Sequence, residues 1–142
     1  MRRLAFTLAA LAMTAANGGC GGSGGPPPAA PDAQQRLALN DVGELLRMYQ
    51  VRTKKAPKAQ KDVESMEMAA PTGMNAIRDK KVVVQWGATL PDLGEEPSST
   101  NSDQVLAYEA KAPVEGGLVL TLDRQVKSLT ADEFKAAPKA GK

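Results

Sequence analysis

The stretch Asn17-Gly18-Gly19-Cys20-Gly21-Gly22-Ser23-Gly24-Gly25-Pro26-Pro27-Pro28 divides the chain and limits what can fold. Glycine gives up the most freedom on ordering, and proline removes a backbone donor, so regular structure is expected only from about Asp32 onward. That leaves 32–137 for a single small α+β domain, with 138–142 expected as a disordered tail. Ahead of the stretch, Met1-Arg2-Arg3 is positively charged and Leu4 to Ala16 is apolar. That order and length suit the core of an export signal and fall short of the roughly 18 residues a membrane span needs. Residues 1–19 are therefore read as a signal peptide and 20–31 as a tether.

This division changes the meaning of the charge. The chain carries 18 basic and 16 acidic residues, a formal excess of +2. Without Arg2 and Arg3 the 18 become 16, equal to the acidic count, and the case from composition for nucleic acid or an anionic surface as partner disappears. Trp86, Tyr49, Tyr108, Phe6 and Phe134 are the only aromatic residues, too few for a base-stacking surface. The chain has no histidine, which removes Ser-His-Asp and Cys-His chemistry and histidine metal sites. No cofactor, metal or catalytic residue is expected. Cys20 is the only cysteine, so it supplies no internal disulfide.

The first folded element is an amphipathic helix from about Asp32 to Arg52. Ala38, Val42, Leu45, Leu46 and Tyr49 recur at helical spacing, widened by Leu39 and Met48, and Asp32 with Gln35 reads as a capping box. Arg52 to Lys61 is a basic stretch with Lys54, Lys55 and Lys58 and no acidic residue. A phosphate-binding role is weighed against an exposed connector broken by Pro57, and the connector is favoured because Asp62 and Glu64 follow at once. Met66, Met68 and Met74 are the residue type that holds copper, but without histidine or cysteine they read as core or loop residues. Pro71 and Gly73 mark turns.

Strands come next. Val82, Val84 and Trp86 alternate with Lys81, Val83 and Gln85, and Asn75 to Arg78 is the expected hairpin partner. Leu90 to Asp103 is a long Pro/Ser/Glu-rich loop, mobile or functional. Gln104 to Ala110 places Leu106 and Tyr108 on one face, Leu118, Leu120 and Leu122 repeat the alternation, and Asp123-Arg124 turns into Gln125 to Leu129. Thr130 with Glu133 forms a capping box, and Leu129 with Phe134 a hydrophobic staple, starting a short helix that stops before Pro138. The expected architecture is an N-terminal amphipathic helix packed on a four- or five-stranded antiparallel meander, with a short C-terminal helix.

The candidate chemistry is sparse. Glu95 and Glu96 lie in the long loop, Asp132-Glu133 serve a helix start, Asp123 is a turn-former, and Ser98, Ser99 and Thr100 have no base beside them. The stretch before Cys20 resembles a bacterial lipoprotein signal, with Gly18 and Gly19 at the small positions and Asn17 where an apolar residue is usual. That resemblance implies lipidation of Cys20, attachment to a membrane on the periplasmic side of the cell envelope, and an envelope protein as partner. Extended, the tether would reach about 37 Å at roughly 3.1 Å per residue. Ordinary cleavage after Ala16, giving a soluble periplasmic or secreted protein, is the alternative.

Arg3-Leu4-Ala5-Phe6-Thr7-Leu8 resembles the start of a type IV prepilin, with Ala5 and Ala10 where that family has Gly and Glu. The folded part, through Tyr49, Pro57, Asp62-Val63, Val105-Leu106-Ala107-Tyr108-Glu109, Gly116-Gly117 and Thr130 to Phe134, resembles the soluble part of pseudopilin-like proteins and small envelope lipoproteins. The likeness implies a non-enzymatic helix-on-sheet domain. Three functions follow: an anchored interaction module, a pseudopilin-like accessory of a secretion apparatus, and a small ligand-binding or carboxylate-based hydrolytic domain.

Overall fold

The computed structural model describes residues 32–97 and 101–141. Cys20, the signal and the tether lie outside the described residues, as do Ser98, Ser99, Thr100 and Lys142. The fold is α+β. Helix α1 (Ala33–Thr53) is followed by α2 (Gln60–Val63), a 3-10 turn (Glu64–Ala69) and α3 (Pro71–Arg78). Strands β1 (Val82–Val84), β2 (Val105–Glu109), β3 (Gly117–Thr121) and β4 (Val126–Leu129) form one antiparallel sheet in the order β1-β2-β3-β4. A short α4 (Ala112–Glu115) sits between β2 and β3, and α5 (Ala131–Ala136) follows β4.

The apolar stripe of α1 is buried as its spacing requires: Leu39, Val42 and Leu45 are fully enclosed and Leu46 nearly so. The helix packs against α3 on one side and against β2, β3 and β4 on the other. Each large side chain removed from water contributes about 1.5–3 kcal/mol, so the stripe is the main tie between helices and sheet. The start of α1 departs from expectation. Asp32 makes no side-chain cap; its carboxylate accepts from Arg36 Nε at 3.0 Å, and the Arg36 bond holds the Asp32 carboxyl below its ordinary range.

Residues 75–78 are not a strand. They belong to α3, whose first turn is capped from a distance: Asp41 Oδ2 on α1 accepts from the Thr72 and Gly73 amides, both at 3.1 Å. Gly73 lets the two helices meet, since a Cβ there would lie 2.7 Å from Asp41 Cβ and from the Val42 amide nitrogen. Pro71 and Gly73 thus open a helix instead of marking turns. Pro57 likewise does more than break a connector: it is buried, and its carbonyl accepts from the Gly87 amide at 2.8 Å.

Leu106 and Tyr108 fall on opposite faces of the sheet. The register steps from Val105↔Thr121 to Ala107↔Leu120, and this bulge turns Leu106 and Ala107 both toward the α1 side. Tyr108 lies on the other face with Val119 and Phe134, its ring centroid 4.7 Å from that of Phe134. Leu118 and Leu120 lie in the α1-side core, with Leu122 partly buried against it.

The end of the chain follows its local signals and then exceeds them. Thr130 Oγ1 accepts from the Glu133 amide while Glu133 Oε2 accepts from the Thr130 amide at 2.7 Å, a complete capping box. Residues 138–141, expected to fray, are held: the Val105 amide donates to the Pro138 carbonyl, the Ala140 amide donates to the Val105 carbonyl, and Ala140 is buried. Lys139 Nζ lies 4.2 Å from the centre of the Phe134 ring and donates to the Phe134 and Ala137 carbonyls.

Candidate functional site

Three places bring side chains together. The first is a clamp on the long loop after β1. Arg47 on α1 donates to Glu44 and to the Leu93 carbonyl, the latter at 3.1 Å. Arg124 in the β3–β4 turn donates to the carbonyls of Gly94, Glu95 and Glu96, and lies 4.0 Å from Glu44. The Arg47 hydrogen bond, with the charges of Arg47 and Arg124, holds the Glu44 carboxyl below the usual carboxylate range. The buried Gln50 carboxamide completes the clamp, accepting from the Leu90 amide at 3.0 Å and donating to the Ala88 carbonyl.

This clamp explains the turn. Leu122 to Arg124 form a three-residue hairpin loop in which Arg124 takes φ 62°, a left-handed position that favours glycine. The residue in this position is an arginine, 8% exposed, whose guanidinium anchors the loop. Asp123 is fully buried and accepts from Thr121 Oγ1 and the Ser102 amide. It is a turn-former that also ties down the far end of the same loop.

The second place is a cleft of about 430 Å³ between the start of α1, α3 and the end of β2, lined by Gln34, Gln35, Thr72, Asn75 and Glu109 among others. Glu109 is 8% exposed and accepts from the Leu118 amide at 2.7 Å, with Lys111 Nζ 3.9 Å from its other oxygen. Gly117 makes room for it, since a Cβ there would lie 2.6 Å from Glu109 Oε2. Asp79 and Lys81, on the rim, pair at 3.1 Å. The charges of this cleft answer one another.

The third place is the outer edge of β1. The Gln85 amide donates to Leu106 and the Ala110 amide to the Lys81 carbonyl, so residues 81, 83 and 85 turn their backbone groups toward β2. By alternation the N–H and C=O groups of Val82 and Val84 point away from the sheet. Beside them runs an open groove of about 320 Å³ lined by Gln60, Ile77, Lys80, Val82, Val83, Val84 and Trp86, with no acidic residue.

No family model, curated protein or solved structure matches this chain.

The residues singled out by sequence divide accordingly. Cys20 and the Ser98 to Thr100 cluster lie outside the described residues. Glu95 and Glu96 are exposed, and it is their carbonyls that the clamp uses. Asp132 and Glu133 serve the start of α5. Met74 is in the core while Met68 is 95% exposed, so the methionines form no common site. Among the described residues no group of three cysteine, aspartate or glutamate side chains is placed to share a metal ion, and no helix is long and apolar enough to cross a membrane. Glu109, Gln50 and the β1 edge were missed. For the edge a local signal exists, the Val82–Val84 run directly after Lys80-Lys81.

Proposed function

We propose that the protein is a non-enzymatic envelope lipoprotein, held to a membrane through Cys20, whose folded domain presents a protein-interaction surface. The setting of Cys20 carries this reading: an export-type segment with small residues at 18 and 19 precedes it, and a Gly/Ser/Pro tether follows. One acyl chain holds a protein weakly and several hold it firmly, so a triacylated cysteine suits a domain with no net charge of its own. The domain adds support from its wiring. Its charged cleft and its loop clamp are internally paired, whereas the β1 edge offers backbone groups and an apolar groove outward.

The test is fractionation with intact-mass measurement. The mature protein is expected to begin at a lipid-modified Cys20 and to leave the membrane fraction in a Cys20→Ala variant. Unchanged membrane association of that variant, or a mature chain beginning at Asn17 with a free thiol, contradicts the anchor. A second reading, a pseudopilin-like accessory of a secretion apparatus, is favoured by the element order, a long first helix ahead of an antiparallel meander. Crosslinking that recovers secretion components with the protein would support it.

A further inference from the structure

We infer that the outer edge of β1 accepts an extended peptide segment, apolar at its centre and acidic at its ends, as a fifth strand of the sheet. This rests on the reading that the domain presents an interaction surface, and it specifies where and for what chemistry. Strand addition needs free backbone groups at an edge and pockets for alternate side chains. Val82 and Val84, only 6% and 7% exposed as whole residues, supply the first, since among the described residues no hydrogen bond from their outward groups is formed. The groove supplies the second: Ile77 and Trp86 lie on the α1 side of the edge, and Val83, 36% exposed, on the other.

Charge selects the occupant. Lys80 lines the groove where β1 begins. At its other end Pro57 is tied to Gly87, Gln60 lines the groove, and Lys58 and Lys61 adjoin them in the chain. Lys58, Lys61 and Lys80 are exposed and, like Arg52, Lys54 and Lys55, have no ion pair among the described residues. Most of the neighbouring acids have partners of their own. Asp62 accepts from the Lys58 and Ala59 amides, Glu67 pairs with Arg78, and Asp79 pairs with Lys81, while Glu64 accepts only from the neutral Gln60 side chain.

Two other occupants fit less well. A second copy pairing through β1 would offer residues 80–86, which carry two lysines and no acid to answer Lys58, Lys61 and Lys80, and lysines on a short edge strand are a known guard against such self-pairing. The chain's own residues 20–31 carry no acidic residue before Asp32 and are rich in proline, which cannot donate to a ladder.

The experiment uses the full chain, ¹⁵N-labelled, titrated with the capped peptide Glu-Glu-Val-Thr-Val-Glu-Glu. Amide shifts are expected at Val82 to Trp86. The same peptide N-methylated at the residues facing Val82 and Val84 should bind at least about tenfold more weakly, because its side chains remain and its backbone donors do not. Lys80→Glu should weaken the acidic peptide by about fivefold and improve binding of Lys-Lys-Val-Thr-Val-Lys-Lys. Equal binding of the N-methylated peptide, shifts centred on β4 or on the Glu109 cleft, no binding at all, or binding to phosphatidylglycerol-containing vesicles in place of the peptide would each overturn the proposal. Membrane release of Cys20→Ala is scored without any peptide, so failure of the anchor and failure of the strand site give different results.

Discussion

The two outer strands of the sheet, β1 and β4, meet solvent in opposite ways. Both leave backbone groups unpaired by the sheet: those of Val82 and Val84 on β1 and, because the Thr121 amide bonds to the Gln125 carbonyl, those of Val126 and Ser128 on β4. Around β4 the cations are used internally. Lys127 lies 3.5 Å from Asp103 and reaches the Ser102 carbonyl, while Arg124 is spent on the loop clamp. Around β1, Lys81 pairs with Asp79, but Lys58, Lys61 and Lys80 are exposed and without ion pairs among the described residues, beside a groove with no acid in its lining. An edge strand's availability is thus decided less by the strand than by whether the charges beside it are already paired.

The largest effect is expected where the floor of the β1 groove is held. Gly73→Val would push α3 off α1, because a side chain there meets the α1 backbone, and should cost about 3 kcal/mol in urea unfolding. Arg124→Gly sharpens the other side of the comparison. The φ of 62° suits glycine, so turn geometry alone predicts a gain; the lost clamp predicts a net loss of about 1–2 kcal/mol with faster amide exchange over residues 90–97. Thr130→Ala removes the cap of α5, a helix that packs on β4, and should cost about 1 kcal/mol by the same measurement.

Acid should act through the paired side. The Arg47 hydrogen bond lowers the Glu44 carboxyl, and the Thr130 amide and hydroxyl lower that of Glu133. Depressed carboxyls contribute stability that is complete above their unfolded values, near 4.3, and is lost as pH falls through the folded ones. Stability is therefore expected to fall below about pH 4, and Glu44→Gln should flatten that acid limb while leaving the β1 edge as it was. Lys80→Glu should be the mildest change for folding, within about 0.5 kcal/mol, because its side chain is exposed and without an ion pair among the described residues.

These effects also mark what could be read from the chain beforehand. The α1 stripe and the Thr130–Glu133 box are legible because their partners lie within a turn or two of each other. Helix α3 was misread because its cap is Asp41, 31 residues before Thr72, with no local equivalent. The faces of β2 were misread because one extra residue at the bulge breaks a period of two, and only the partner strand shows where it falls. The held tail depends on Val105 in the same way. For the site, the alternation of Val82 to Trp86 told which side chains turn inward. That its outer side is open follows from sheet order and from the ion pairs of distant residues, neither of which is local. The Cys20 anchor is the reverse case, legible in sequence and outside the described residues.

Hydrogen–deuterium exchange at single amides tests the difference between the two edges most directly. With the acidic peptide present, the Val82 and Val84 amides should exchange at least several-fold more slowly while those of Val126 and Ser128 keep their free rates. Unchanged rates at Val82 and Val84, or equal slowing at both edges, would contradict the account.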